Sequence, residues 1–473
     1  MRPRGETCIT VHCRQRGRQI QTDLCVAIAG SGCTRLGCAI PTATGVDRSD
    51  FERLLSQASK PRGIAILGRL LSYAQKVFDL LSALSQVTDS RKQPQIPTFT
   101  IVMSVLAMHL ARLGSLNALE QLRDSPALLK HIGEALPSAD SLGRVFGLLN
   151  VDTIRVVIHA TYDQLKRNKA LSPPPHGLMA LAIDGHETHA TFRQCCAHCL
   201  QRKVGVGEEK RIQYYHRNVT AQLIANGFHF MLDAETQLPG EGEVATAMRL
   251  LTRVVENYPR AFDVVVADAL YAASTFFKLA IEKKKDVVVV LKENCPELLK
   301  DATRCFSDQP PTQSWDTGKR KVECWDEGGF EAGPQSGQPL RVVKSHETKA
   351  PVRRQLDKKV EVETTTWFWM TTLSPHRAST AAVVALGHSR WCIENEGFNE
   401  LATRQQANHV YKHDPTAILN FWLISLLSFN IFQSFIKLNL KPALRLGKSM
   451  VHFARMISAE LYASLSFIIS VPP

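Results

Sequence analysis

Two short apolar runs constrain this chain more than any other feature. Phe262 to Ala267 and Asp286 to Leu291 (DVVVVL) are each one strand long, rich in β-branched valine, and free of the polar alternation of a half-exposed strand. Runs of this kind belong inside a sheet covered on both faces. Ser274 to Glu282, between them, carries a helical pattern, so the local order is strand, helix, strand. Upstream, Leu178 to Ile183, Gln213 to Ile224 and Phe228 to Leu232 read as strands. Asn226-Gly227 is the turn between the last two, and a helix is expected from Glu243 to Asn257. Strands joined by hairpin-like turns and followed by helix, strand, helix, strand predict an α/β sheet of mixed direction.

The remaining chain divides around this sheet. Residues 1–60 are basic and Cys-rich without sustained periodicity, and are expected to be a poorly ordered arm. Cys8 and Cys13, then Cys33 and Cys38, share a spacing that is loose for zinc, and coincidence is the better reading. Residues 61–172 are helical: Leu67, Leu70, Leu71, Ala74, Phe78 and Leu81 recur at three- and four-residue steps, and Pro97, Pro126 and Pro137-Ser138 punctuate later helices. This all-α N-terminal domain is either a scaffold or a DNA-binding domain, the helix after Ser138 with Arg144 being the candidate for a groove. Pro173-Pro174-Pro175 is a stiff linker into residues 173–293, the first part of the sheet domain. Residues 294–375, with alternating stretches at Pro339 to Val343 and Val360 to Met370, look like a β-rich insertion. Residues 376–436 complete the domain, and 437–473 form a basic helical tail.

The charge balance points to a class of partner. The 473 residues carry a formal charge of +13, which suits a polyanion such as nucleic acid and also simply aids solubility. After Glu400 there are seven basic residues against two acidic ones, a distribution able to follow a DNA backbone. No secretory leader pattern opens the chain, the scattered cysteines fit a reducing cytosol, and a cytoplasmic, nucleoid-associated protein is expected. Ala417 to Ile436 has the length of a membrane span, but Asn420, Asn430 and Gln433 favour a buried core helix and no membrane partner.

The chemistry resides in carboxylates. Asp184 (LAIDG) and Asp268 (VVVADALY) each follow an apolar run, where a rigid strand end can hold an acid at the solvent edge and let two converge on one cation. Either alone would be read as a capping or solvated acid. A third, Glu394, lies in SRWCIENEGFNELATRQQ, an expected helix with Arg390 four residues earlier on the same face. Two Asp and one Glu are hard oxygen ligands for Mg²⁺ or Mn²⁺ rather than zinc. Two such ions can serve phosphodiester chemistry without a protein base.

On these residues the chain resembles the DDE transposases of bacterial insertion sequences, of the type with a β insertion before the Glu. The likeness covers about Leu178 to Ile436 and rests on Asp184-Gly185, on Asp268-Ala269-Leu270-Tyr271 and on Arg390-Trp391-x-Ile393-Glu394. It implies a ribonuclease-H-like fold, catalytic metal ligands at Asp184, Asp268 and Glu394, and DNA contact by Arg390. Lys292, Tyr271, Trp391 and Arg404 are the further DNA-contact candidates. The family motif Tyr-x2-Arg-x3-Glu-x6-Lys departs at both ends here, with Gly387 for the Tyr and Leu401 for the Lys; Arg404, one turn further on, is the candidate substitute.

Secondary signals stay open. Cys195, Cys196 and Cys199, with His186, His189 and His198 nearby, read either as a structural zinc site at Cys196/Cys199 or as reduced surface thiols. The expected activity is metal-dependent cleavage at element ends with strand transfer to target DNA, by a homodimer that pairs two ends. The alternatives are a nuclease or resolvase of the same fold and an inactive transposon-derived DNA-binding protein.

Overall fold

A computed structural model of the chain describes the backbone of residues 9–15 and 18–24, and residues 66–465 with side chains except 134, 208–209, 319 and 350–361. The chain falls into two units, Met1–Arg62 and Gly63–Pro473. In the first, β1 (Ile9–Gln15) and β2 (Arg18–Leu24) pair antiparallel, from Ile9 opposite Leu24 to Gln15 opposite Arg18. The rest of the expected arm, with Cys8, Cys33 and Cys38, lies outside the described residues, as does the Cys13 side chain.

The second unit begins with helices placed by their caps. α1 (Ile66–Phe78) buries Leu67, Leu70, Leu71, Ala74 and Phe78, and α2 is Leu80–Ser85. After Pro97 comes α3 (Thr98–Ala111), apolar on every side and buried from Thr100 onward. Ser115, Ser125, Ser138 and Asn150 each accept a backbone N–H at the start of α4 (Leu116–Glu120), α5 (Pro126–Ile132), α6 (Ala139–Phe146) and α7 (Val151–Arg167).

The sheet follows. β3 is Ala180–Thr191, β4 Leu200–Val204, β5 Arg211–Ala225 and β6 Phe228–Thr236; then come α8 (Glu243–Asn257), β7 (Val264–Ala267), α9 (Ser274–Glu282) and β8 (Asp286–Val290). Spatially the order is β6-β5-β3-β7-β8, with β6, β5 and β3 antiparallel to their neighbours and β3, β7 and β8 mutually parallel. This is the ribonuclease H arrangement. β4 pairs with the outer half of β5, on the edge that β6 occupies further along.

The insertion does not form a layer of its own. It opens with a helix not expected from the sequence, α10 (Pro296–Ser307), followed by the antiparallel strands β9 (Gln313–Asp316), β10 (Arg320–Phe330), β11 (Leu340–Lys349) and β12 (Glu363–Thr371). β12 pairs antiparallel with β8, Trp369 opposite Val290 and Thr371 opposite Val288, so the insertion extends the main sheet to ten strands.

α11 (Thr380–Ser389) leads into wide π-helical turns over Ile393–Arg404, closed by the Gln405 N–H donating to the Glu400 carbonyl at 2.9 Å. α12 (Pro415–Ser434) is the central helix, buried on every side from Ala417 to Ser434. Its polar residues explain why it suits a protein core. Asn430 bonds both the N–H and the carbonyl of Met231, Gln433 accepts from His229 N, and Asn420 donates to the Phe146 and Leu149 carbonyls. Two of these side chains satisfy the open edge of β6 as a further strand would. α3, α6, α7 and β6 all pack on α12, so the N-terminal helices and the sheet share one core. The last helices, α13 (Pro442–Arg445) and α14 (Met450–Ala463), turn back: Phe453, Ile457 and Leu461 are buried, and Glu460 accepts from Leu67 N at the start of α1.

Candidate active site

Strand register brings the first two acids together. Ala180, Leu181 and Ala182 of β3 lie opposite Val264, Val265 and Val266 of β7, and continuing that parallel offset puts Asp184 opposite Asp268. Neighbouring strands run about 4.8 Å apart, so the two carboxylates leave adjacent positions on the sheet. Asp184 is not at a strand end as the sequence suggested. β3 runs on to Thr191 because β5 continues to pair with it after β7 has stopped at Ala267. The solvent edge exists because the short β7 ends beside it. Asp268 is oriented by its own chain: its Oδ1 accepts the Leu270 N–H at 2.8 Å, starting the 3₁₀ turn Ala269–Tyr271.

The third acid arrives on the π-helical segment, which packs on β3. Gly397 makes the approach close, since a Cβ there would lie 2.5 Å from Gln222 Oε1 and 2.7 Å from the Met231 methyl. Arg390 links the acids. Its Nη1 lies 2.5 Å from Glu394 Oε1 and 3.7 Å from Asp184 Oδ2, and its side chain is only 9% exposed. Nε has no hydrogen-bond partner among the described residues.

A fourth carboxylate, absent from the sequence reading, completes the cluster. Glu243, in the first turn of α8, takes the Tyr271 hydroxyl as donor at 2.8 Å and pairs with Arg217 at 2.8 Å. Gly185 is where its side chain passes: a Cβ on residue 185 would sit 2.6 Å from the Glu243 carboxyl carbon. The only sequence signal was an acid beginning the helix after the three-strand segment. Burial, the largest cause, pushes the Asp184 carboxyl up to about 8, against the opposing Arg390 charge, and Glu394, Asp268 and Glu243 push it further in the same direction.

The DNA-contact candidates divide. Lys292 is exposed two residues past β8, on the edge where β7 gives way to Asp268. Trp391 is half-buried against Trp367 at 4.7 Å, with the Arg390 guanidinium over its ring. Arg404 is partly exposed and pairs with Glu400 at 3.2 Å; Arg112 also pairs with Glu400. Tyr271 has to be corrected: it is fully buried with its hydroxyl spent on Glu243, so it presents nothing to DNA. Arg390 ion-pairs with Glu394 and Asp184. His186 is a packed residue that stacks on Trp422 at 5.4 Å and against Phe398 at 4.8 Å. Lys285 donates to the Pro259 and Phe262 carbonyls. Arg144 is exposed on α6, whose inner face is fixed by Phe146 stacked on Phe421 at 4.0 Å.

The motif departures have steric reasons. A Cβ at Gly387 would meet the Trp369 ring at 2.5 Å, so Trp369 fills the space a larger residue would need. Leu401 faces the core and is fully buried.

A ribonuclease-H-ordered sheet with Asp, Asp and Glu gathered at the end of its parallel strands defines a DDE-type nucleic-acid-processing domain. The chain belongs to the transposase DDE domain family, whose model matches residues 175–431. Among curated proteins none matches the chain.

Proposed function

We propose that this protein is a DNA transposase that cleaves at the ends of its element and joins the freed 3′-hydroxyl to target DNA, with Asp184, Asp268 and Glu394 as catalytic metal ligands. The observation that carries this reading is the convergence of Asp184 and Asp268, at adjacent positions on β3 and β7, with Glu394 of the π-helical segment, which Arg390 links to Asp184. Carboxylates crowded this closely call for counter-charge. The donor set is oxygen only, which fits Mg²⁺ or Mn²⁺. When bound, such ions supply the Lewis acidity that activates a water or 3′-hydroxyl and stabilises the leaving oxygen of the phosphodiester.

The chain's own residues set the geometry. Arg390 holds Glu394 toward Asp184, and the Leu270 N–H fixes one oxygen of Asp268. Lys292, Trp391 and Arg404 stand where they can meet a DNA backbone or an unpaired end base. A homodimer that synapses two ends, working in the cytoplasm at the nucleoid and not at a membrane, follows from the same reading.

The test is cleavage of a labelled duplex bearing the element's own end, with Mg²⁺ or Mn²⁺, alongside a binding assay. Wild type should give nicked and strand-transfer products, whereas Asp184→Ala, Asp268→Ala and Glu394→Ala should bind the end without cutting it. Cutting without strand transfer would point to a nuclease, and binding without any cutting by wild type to an inactive DNA-binding protein. Cutting that survives loss of any one acid would overturn the site.

A further inference from the structure

A second cluster of donors stands apart from the acids. Cys196 and Cys199 lie in the connection between β3 and β4, and His216 lies on β5, where Thr188 of β3 is its pairing partner and Leu200 of β4 faces its neighbour Tyr215. The two sulfurs are 3.6 Å apart, and His216 Nε2 is 3.4 Å from Cys196 Sγ and 3.6 Å from Cys199 Sγ. Tetrahedral zinc with bonds of about 2.3 Å to sulfur and about 2.05 Å to nitrogen would have edges of roughly 3.75 Å (S to S) and 3.55 Å (S to N). The three measured separations are those edges to within about 0.2 Å. Cys199 and His216 are almost wholly buried.

A second group adjoins the first. His189, Cys195 and His413 have ligand atoms within 4.8 Å of one another, and His189 and His413 are charge neighbours of His216. His189 occupies the left-handed region, φ 51°, where the β3–β5 register shifts, a strained conformation that turns its ring toward Cys195 at 3.6 Å. His413 belongs to the segment joining the Glu394-bearing turns to α12, and its buried Nδ1 has no partner among the described residues.

We infer that Cys196, Cys199 and His216 bind one zinc ion. The thiols give up their protons on binding. The ion fastens the β3–β4 connection to β5, the strand that pairs with the one carrying Asp184. The inference stands whether or not the protein cuts DNA, because its readout is metal and not activity.

The experiment uses the full chain purified from zinc-supplemented cells. Wild type should carry about one zinc per chain, and cobalt exchanged for it should give the thiolate charge-transfer and intense d–d bands of a tetrahedral site. Cys196→Ser and His216→Ala should retain at least about tenfold less metal, while Cys195→Ser keeps it. The cobalt spectrum of folded wild type stands even if a variant fails to fold. Wild type with background metal and no thiolate band, or with Cys196 and Cys199 joined as a disulfide, overturns the inference. So does metal that survives Cys196→Ser but leaves with Cys195→Ser.

Discussion

Replacing Asp184 with asparagine should make the metal-free protein more stable, by an amount that grows with pH. The wild-type carboxyl titrates at about 8 in the folded chain against an ordinary 3.8. Between those values the folded state holds a proton that the unfolded state has lost, so stability falls as pH rises through the window. At about 1.4 kcal/mol per pKa unit the whole displacement amounts to at most roughly 6 kcal/mol, and side-chain and water rearrangement reduce what is realised to a few. Asparagine keeps the volume and an acceptor for Gly185 N, which Asp184 Oδ1 now takes at 2.9 Å, but it cannot ionise. In chelator, denaturant unfolding at pH 5 should find the two proteins within about 1 kcal/mol of each other, and at pH 8 the variant should lead by a few. Magnesium at about a hundred times its dissociation constant should return about 2.7 kcal/mol to wild type and little to the variant. Because the raised carboxyl still holds much of its proton near pH 7, calorimetry in buffers of different ionisation enthalpy should report net proton release from wild type on metal binding. Parallel stability curves for the two proteins from pH 5 to 8, with no proton release, would refute the account of the cluster.

Three further outcomes follow from contacts elsewhere. Gly185→Ala should leave the fold intact but displace Glu243, whose carboxyl carbon would stand 2.6 Å from the new Cβ; a shift on that scale should slow end cleavage by about a hundredfold, and unchanged rates would show that Glu243 plays no part. Gly387→Tyr, which restores the family residue, should cost about 3 kcal/mol or more by driving a side chain into Trp369, and pairing it with Trp369→Ala should recover part of the loss; a tolerated single change would contradict the packing. Asp233 is buried between Arg155 at 3.0 Å and Arg253 at 2.7 Å, so Asp233→Asn should cost about 3 to 5 kcal/mol in denaturant unfolding, and a loss under about 1 kcal/mol would mean that the pair is solvated.

Elements whose pattern is local were legible in the sequence. The helices Glu243–Asn257 and Ser274–Glu282 lie where an apolar face and flanking breaks put them, and the valine runs mark β7 and β8 to within two residues. Elements defined by a distant partner were not. β3 was read as ending at Ile183 because GHETHAT is polar, yet β5 pairs with it as far as Thr191. α10 was hidden by the Pro and charge of the insertion, although Pro296 is its first residue. The widening into π turns over Ile393–Arg404 has no local signal in the sequence.

The same division runs through the two side-chain clusters. Asp184 and Asp268 could be singled out because each follows an apolar run, and a strand that ends beside solvent is a local fact. Tyr271 was misjudged for the complementary reason: its neighbour Asp268 lies at the solvent edge, but the 3₁₀ turn that Asp268 itself caps rotates the tyrosine inward onto Glu243. Glu243 and His216 escaped because their neighbours come from distant parts of the chain, 28 residues away for the pair Glu243–Tyr271 and 17 for Cys199–His216. A cysteine pair without a second pair nearby reads as free thiols along the chain, yet β5 brings an imidazole alongside it. Loss of His216 and loss of Glu243 should therefore part company, the first removing zinc with the acid cluster intact, the second altering end cleavage with zinc still bound.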